Sequence, residues 1–196
     1  MGIRILILCF FLSFLFPLLS EENSLEDWKK FSKTKSADLV VDFIRCIAYS
    51  ELNLKSCDKK LPETPSFFGE LGLFITIVNN GKVRGCFGAF RHKNTHLSNV
   101  LQEYIRGALR NDPRYPPLES EELKTAYFLL TVADSPSPVA DIDTISLARF
   151  GVYLVKENNQ GFVYVPGEIK SHSSLKRIIK KEKIQDVNVF KAILIK

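Results

Sequence analysis

The stretch 73-LFITIVNNGKVRGCFGAF-90 decides the fold. Leu73 to Val78 is rich in β-branched and aromatic residues, the composition of a buried strand. Asn80-Gly81 suits a two-residue turn that needs positive φ at both positions. Lys82 to Phe87 then returns as the partner strand. With the turn centred on Asn80-Gly81, Val78 faces Val83, Ile77 faces Arg84 and Ile75 faces Cys86. Arg84 and Cys86 would share one strand face. A guanidinium beside a thiol, with Gly85 and Gly88 interleaved, can mark a working site or a tightly packed strand.

Outward from this hairpin the chain alternates in character. Ser36 can cap a helix over about 37–52, with Val40, Phe43, Ile44, Ile47 and Ala48 on its apolar stripe. Residues 53–70 read as a loop holding Cys57 and two prolines. A second helix is predicted over about 97–110, with Leu97, Val100, Leu101, Tyr104, Ile105, Ala108 and Leu109 facing the core. Asn111-Asp112-Pro113 ends it, because the residue before proline disfavours helix. A stiff loop, 112-DPRYPPL-118, leads to a helical turn near 119–123 and a strand over 126–133. A proline-bearing loop, 134–143, comes next. Strands at 150–155 and 162–165, a helix at 173–182 and a strand at 187–195 complete the pattern. No fixed-period repeat is present. The mixture implies an α+β fold, a largely antiparallel sheet with flanking helices.

Composition places the chain among ordinary globular proteins: 196 residues, 45% hydrophobic and 25% charged. The first 20 residues stand apart, with Arg4 ahead of an apolar run and a polar edge at Glu21. They read as an export signal or an uncleaved N-terminal anchor, and residues 21–35 as a charged tether. The protein is therefore expected to be exported: periplasmic, secreted or held at a membrane by its N-terminus. Beyond the leader, Cys46, Cys57 and Cys86 remain, so at least one thiol is free or pairs with another chain. Cys46 and Cys57 can bridge, which spacing alone does not decide. The net charge of +5 is uneven: residues 170–196 carry +6 and the rest −1. In 175-LKRIIKKEK-183, Leu175, Ile178 and Ile179 share a helix face opposite the lysines. The lysine face is a solvated surface or a patch for anionic lipid or nucleic acid. No aromatic residues interleave the lysines, so nucleic acid is not an expected partner.

Three segments together carry a family resemblance. Val83-Arg-Gly-Cys-Phe-Gly88 resembles the signature hexapeptide of the AMMECR domain family, usually Leu-Arg-Gly-Cys-Ile-Gly. The family is named for the Alport–midface hypoplasia–elliptocytosis chromosomal region. Asp112-Pro-Arg-Tyr-Pro-Pro-Leu118 is similar to its second motif, with Tyr115 where phenylalanine is usual. Thr131 to Pro138 resembles the next strand and loop. The resemblance covers residues 36–196 and thins after 166. It implies a larger and a smaller lobe around a cleft, with the hexapeptide as the suspected site. It also implies partners of the Memo-like or radical S-adenosylmethionine kind, since the domain is often encoded near or fused to them. Family members are usually intracellular, so the export signal is a departure. Ala89, where a hydroxyl residue is frequent, is another.

Cys86 is the catalytic candidate. A thiol attacks only as thiolate, and a nearby cation such as Arg84 lowers its pKa. Packing is the competing reading, because a free cysteine behaves as a small hydrophobe. Arg84, Gly85, Gly88, Asp112 and Arg114 are the ligand-binding candidates. Gly85 and Gly88 would let a ligand or another backbone approach closely. Asp112 can instead cap backbone groups while Arg114 makes an internal ion pair. A nucleophilic cysteine also wants a base, and His92 and His96 follow the motif. They lack the tight spacing of zinc sites, so no metal and no cofactor is assigned. No phosphate loop, dinucleotide fingerprint, Gly-x-Ser-x-Gly elbow or metalloprotease motif occurs. Three readings follow: a module binding a small ligand or peptide, a cysteine-dependent enzyme, and a membrane-side protein using the basic C-terminal helix.

Overall fold

The computed structural model describes residues 25–67 and 71–196. The leader and residues 21–24 of the expected tether lie outside them. From Leu25 the tether expectation is corrected, because α1 (Leu25–Phe31) is a docked helix. Trp28 is fully buried and Phe31 nearly so. Two rings three residues apart fall on one helix face, enough apolar area to dock it. The Trp28 Nε1–H also donates to the Ser66 carbonyl at 3.1 Å. Helix α2 (Lys35–Glu51) follows with its predicted stripe inward, but its N-cap is Thr34 and not Ser36. The Thr34 hydroxyl donates back to the Phe31 carbonyl, which ties the two helices. Cys46, near the end of α2, bridges to Cys57 with a Cα separation of 5.2 Å. Such a short loop contributes about 3 kcal/mol in the chain-entropy account.

The hairpin forms as β1 (Gly72–Asn79) and β2 (Lys82–Ala89), with positive φ at Asn80 and Gly81. Its register corrects the expectation. Val78 does face Val83, but Ile77 faces Gly85 and Thr76 faces Cys86. A bulge after the turn leaves Arg84 as the extra residue, so Arg84 and Cys86 do not form the expected pairs with Ile77 and Ile75. The physical reason lies in the helix-side core, which holds Ile75 and Ile77. An unbulged register would drive the Arg84 charge into it, an expensive burial. The bulge sends Gly85 and Phe87 there and turns Cys86 to the opposite face.

Helix α3 (Leu97–Arg110) buries its whole predicted stripe, packing on this hairpin and on α2. A Cβ on Gly85 would lie 2.0 Å from the Ala108 carbonyl oxygen, so helix and strand meet backbone to backbone. The Phe87 ring in turn occupies the space over Gly107. The one-turn helix α4 (Ser120–Leu123) is closed by a Glu119/Glu122 capping box. Then come β3 (Tyr127–Ala133), the short β4 (Ser137–Pro138), β5 (Phe150–Lys156), β6 (Gly161–Tyr164), α5 (His172–Glu182) and β7 (Ile184–Ile195).

The strands form one antiparallel sheet in the order β2-β1-β3-β7-β5-β6, with β4 beside β7. The fold is α+β, as the sequence implies. Strand β7 joins the lobes: Ala192–Ile195 pair with β3, while Ile184–Lys191 pair with β5. The larger lobe buries its core between β1–β3 and helices α1–α3. The smaller lobe packs Leu175 of α5 with Val152 and Leu154 of β5. The lysines of α5 point outward, as its apolar stripe predicts. A third cluster of Phe74, Cys86, Ala133 and Phe190 fills the junction. There the sheet curls and its two edge strands, β2 and β6, approach across a cleft. Among the described residues no helix is long and apolar enough to cross a membrane.

The close helix–strand contact makes a sharp prediction. Gly85→Ala should lose about 3 kcal/mol by overpacking. Gly81→Ala has open space and should lose only about 1 kcal/mol, from its positive φ. Urea unfolding of the two variants checks this. Equal losses would mean that Gly85 does not serve the packing.

Candidate functional site

The cleft centres on a cavity of about 150 Å³. Its walls are Phe74 of β1, Cys86–Gly88 of β2, Asp112–Arg114 of the loop after α3, and Gly161–Val163 of β6. That loop is anchored where α3 ends, since the Leu118 N–H donates to the Leu109 carbonyl and the Tyr115 N–H to that of Asp112. The turn aims Asp112 and Arg114 inward, between the two sheet edges.

Asp112 is 5% exposed and its carboxylate is crowded with donors. It accepts the Cys86 backbone N–H at 2.8 Å, the Arg114 N–H at 3.0 Å and the Arg114 guanidinium at 2.9–3.3 Å. From the same guanidinium, Nη1 reaches across the cleft to Glu168 Oε1 at 3.0 Å and the Val163 carbonyl at 3.5 Å. The second oxygen of Glu168 accepts the Val165 N–H at 3.1 Å. Two tyrosine rings flank the guanidinium carbon, Tyr164 at 5.1 Å and Tyr115 at 5.5 Å from their centroids. One half-buried arginine thus links β2, through Asp112, to β6 and Glu168. Burial works against its charge, but the Asp112 hydrogen bonds and Glu168 outweigh that, and its pKa stands above the ordinary value. Removing one partner from such a cluster strands a buried charge and costs about 3–5 kcal/mol.

Cys86 faces this cluster. Its Sγ accepts the Thr76 hydroxyl at 3.3 Å. Burial first, and then Glu168, push the thiol up to about 12, against the pull of Thr76 and Arg114.

Of the sequence-predicted residues, Cys86, Gly88, Asp112 and Arg114 come together at the cavity. Arg84 does not. It grips Glu122 bidentately and donates to the Pro116 carbonyl at 3.2 Å. The cation beside the thiol is Arg114. Gly85 faces α3, and Gly88 is held against the Leu73 carbonyl and Phe74, where a Cβ would sit 2.1 Å from the oxygen. The close approach that the glycines permit is by the protein's own backbone.

The histidines lie apart. The His92 Nε2–H donates to the Leu71 carbonyl at 2.8 Å, which leaves Nδ1 to accept from the Tyr104 hydroxyl at 2.7 Å. The His172 Nε2–H donates to the Ile145 carbonyl at 2.9 Å. None of the three histidines lines the cavity. Among the described residues no group of three His, Cys, Asp or Glu is placed to hold a metal ion.

Sequence reasoning missed Glu168, Thr76 and the β6 edge. Thr76 lies inside the quoted strand and becomes a partner of Cys86 only through the bulged register. Glu168 looks like any loop glutamate, and only the return of the chain against Arg114 sets it apart.

Glu168 yields a pH prediction. Burial raises its carboxyl above the ordinary 4.5, chiefly through lost hydration and against the pull of Arg114. The folded protein then holds a proton that the unfolded chain has released. Stability from this group is fully present below pH 4.5 and is lost as pH rises through the folded value. Relative to Glu168→Gln, the wild-type urea midpoint should therefore decline from pH 4.5 towards neutrality. Parallel curves would contradict the assignment.

Comparison with known proteins fits this geometry. The AMMECR1 family model matches residues 41–194. A Thermotoga maritima protein is 29% identical over 107 residues, covering 54% of this chain and 61% of that one. A Methanothermobacter thermautotrophicus protein is 34% identical over 84 residues, 41% of this chain and 43% of its own length. The alignments thus span less than two thirds of these relatives. The crystal structure of uncharacterized protein PH0010 from Pyrococcus horikoshii superposes with a TM-score of 0.59 at 18% identity, covering 83% of this chain and 91% of that one. That neighbour shares the fold of two lobes on a curled sheet, and the family match runs through the hairpin, the Asp112–Leu118 loop and β7: this chain belongs to the AMMECR1 family.

Proposed function

We propose that the domain is a non-covalent recognition module whose interlobe cleft takes a small ligand or a segment of peptide. The state of Cys86 carries the reading. Burial in an apolar junction, with Glu168 beside it, pushes the thiol far above its ordinary value and holds it protonated at neutral pH. The thiolate is the nucleophile, and no histidine lines the cavity to act as base. The cavity of about 150 Å³ is small. Cofactor and drug-sized sites run to roughly 300–1,000 Å³, so a space this size suits one side chain or a compact group. The sheet edges at its rim add peptide-like groups to the walls. Cys86 then contributes shape and a small apolar surface.

The working compartment is proposed to lie outside the reducing cytosol. The Cys46–Cys57 bridge supports this, because disulfides persist in oxidising compartments. The apolar residues 1–20 support it independently. In that setting a Memo-like or radical S-adenosylmethionine partner would have to be exported too.

Iodoacetamide labelling of Cys86, followed by mass spectrometry across pH, tests the reading. Slow labelling at every pH where the fold persists, and fast labelling in denaturant, is the expected result. Ready labelling of the folded protein, with an apparent pKa well below about 8.5, would return Cys86 to the role of nucleophile.

A further inference from the structure

Bordered by Tyr115, Tyr164 and Glu168, the partners of Arg114, lies a second cavity of about 480 Å³, within the size range of small-molecule sites. It lies between the tip of the β1–β2 hairpin and the smaller lobe. Its walls include Tyr115 and Tyr164, whose rings also flank Arg114. Buried Ile169 and half-buried Ile178 supply an apolar floor. Two exposed lysines, Lys82 of the hairpin and Lys170 ahead of α5, line the same space. Glu168 borders it too, but its carboxylate oxygens are taken by Arg114 and the Val165 N–H. Lys170 Nζ donates to the Gly167 carbonyl at 2.6 Å, an uncharged partner that leaves its charge unneutralised. Lys82 and Lys170 therefore set a positive field over an aromatic and aliphatic surface.

We infer that this chamber binds a small amphipathic anion. A flat apolar body would lie against Tyr115, Tyr164 and Ile178. Its carboxylate, sulfonate or phosphate would meet Lys82 and Lys170. Tyrosine supplies broad apolar contact with a polar tip. Lysine supplies a compact charge that suits an anion of any geometry. A cationic ligand of the same shape would be repelled. This inference rests on the recognition reading and names the ligand class.

The test uses the full-length protein and two isosteric probes, 2-naphthoate and neutral 2-naphthamide, followed by amide chemical shifts. Naphthoate should shift Tyr164, Ile178 and Ser174, residues of the chamber wall. It should bind about tenfold tighter than the amide, the effect of two partly exposed ion pairs. The K82E/K170E double variant should lose that preference while its remaining spectrum is unchanged, since both side chains are exposed. Equal binding of the two probes, or a preference that survives the lysine changes, overturns the anion assignment and leaves the recognition reading standing. No shift of chamber residues with either probe overturns the chamber as a ligand site. Failure of the recognition reading itself shows elsewhere, in ready alkylation of Cys86.

Discussion

The junction of this domain depends on one guanidinium. A curled antiparallel sheet that does not close leaves two edge strands with unsatisfied backbone groups. Here those edges are β2 and β6, and Arg114 joins them. It holds the Asp112 carboxylate on the Cys86 N–H and itself donates toward the Val163 carbonyl. Side chains thereby do what a missing strand would do in a closed barrel. The cluster is charged and buried, so its worth lies as much in fixing one arrangement as in net stability.

The hexapeptide acquires a physical reading from this arrangement. Val83 pairs across the hairpin, and the bulge at Arg84 sends that charge out to Glu122. Gly85 admits α3, Phe87 seats over Gly107, and Gly88 lies against Phe74. Cys86 is the small residue that fits beneath Arg114 with its N–H turned toward Asp112. The motif builds one wall of the cleft and positions the loop that builds the next. A thiol buried beside Glu168 is poorly disposed to ionise, and that is the support for the proposed recognition role.

Much of this was legible from local pattern. The turn at Asn80-Gly81, the stripes of α2 and α3, and the α+β class follow from periodicity and turn chemistry, which act over a few residues. The bulge was not legible, because it answers to a tertiary constraint: the Arg84 charge cannot enter the core that Ile75 and Ile77 share with α3. The docking of α1 through Trp28 was hidden by the charged residues around it. The pairing of Asp112 with Arg114 was within reach as an internal ion pair, while its third member, Glu168, lies 54 residues from Arg114 in the sequence. The Cys46–Cys57 bridge needed coordinates, since spacing permits it without requiring it.

The central claim is that Arg114 holds Asp112 on the edge of β2 and so keeps the cleft in shape. Amide hydrogen exchange of Cys86 in Arg114→Lys tests it most directly. Lysine keeps the charge but loses the fork that grips Asp112 and Glu168 together. The account predicts that the Cys86 amide, protected in the wild type, exchanges at least about tenfold faster in the variant. The amides of Ile75 and Leu130, in the middle of the same sheet, should be unchanged. A Cys86 amide as protected in Arg114→Lys as in the wild type would contradict it.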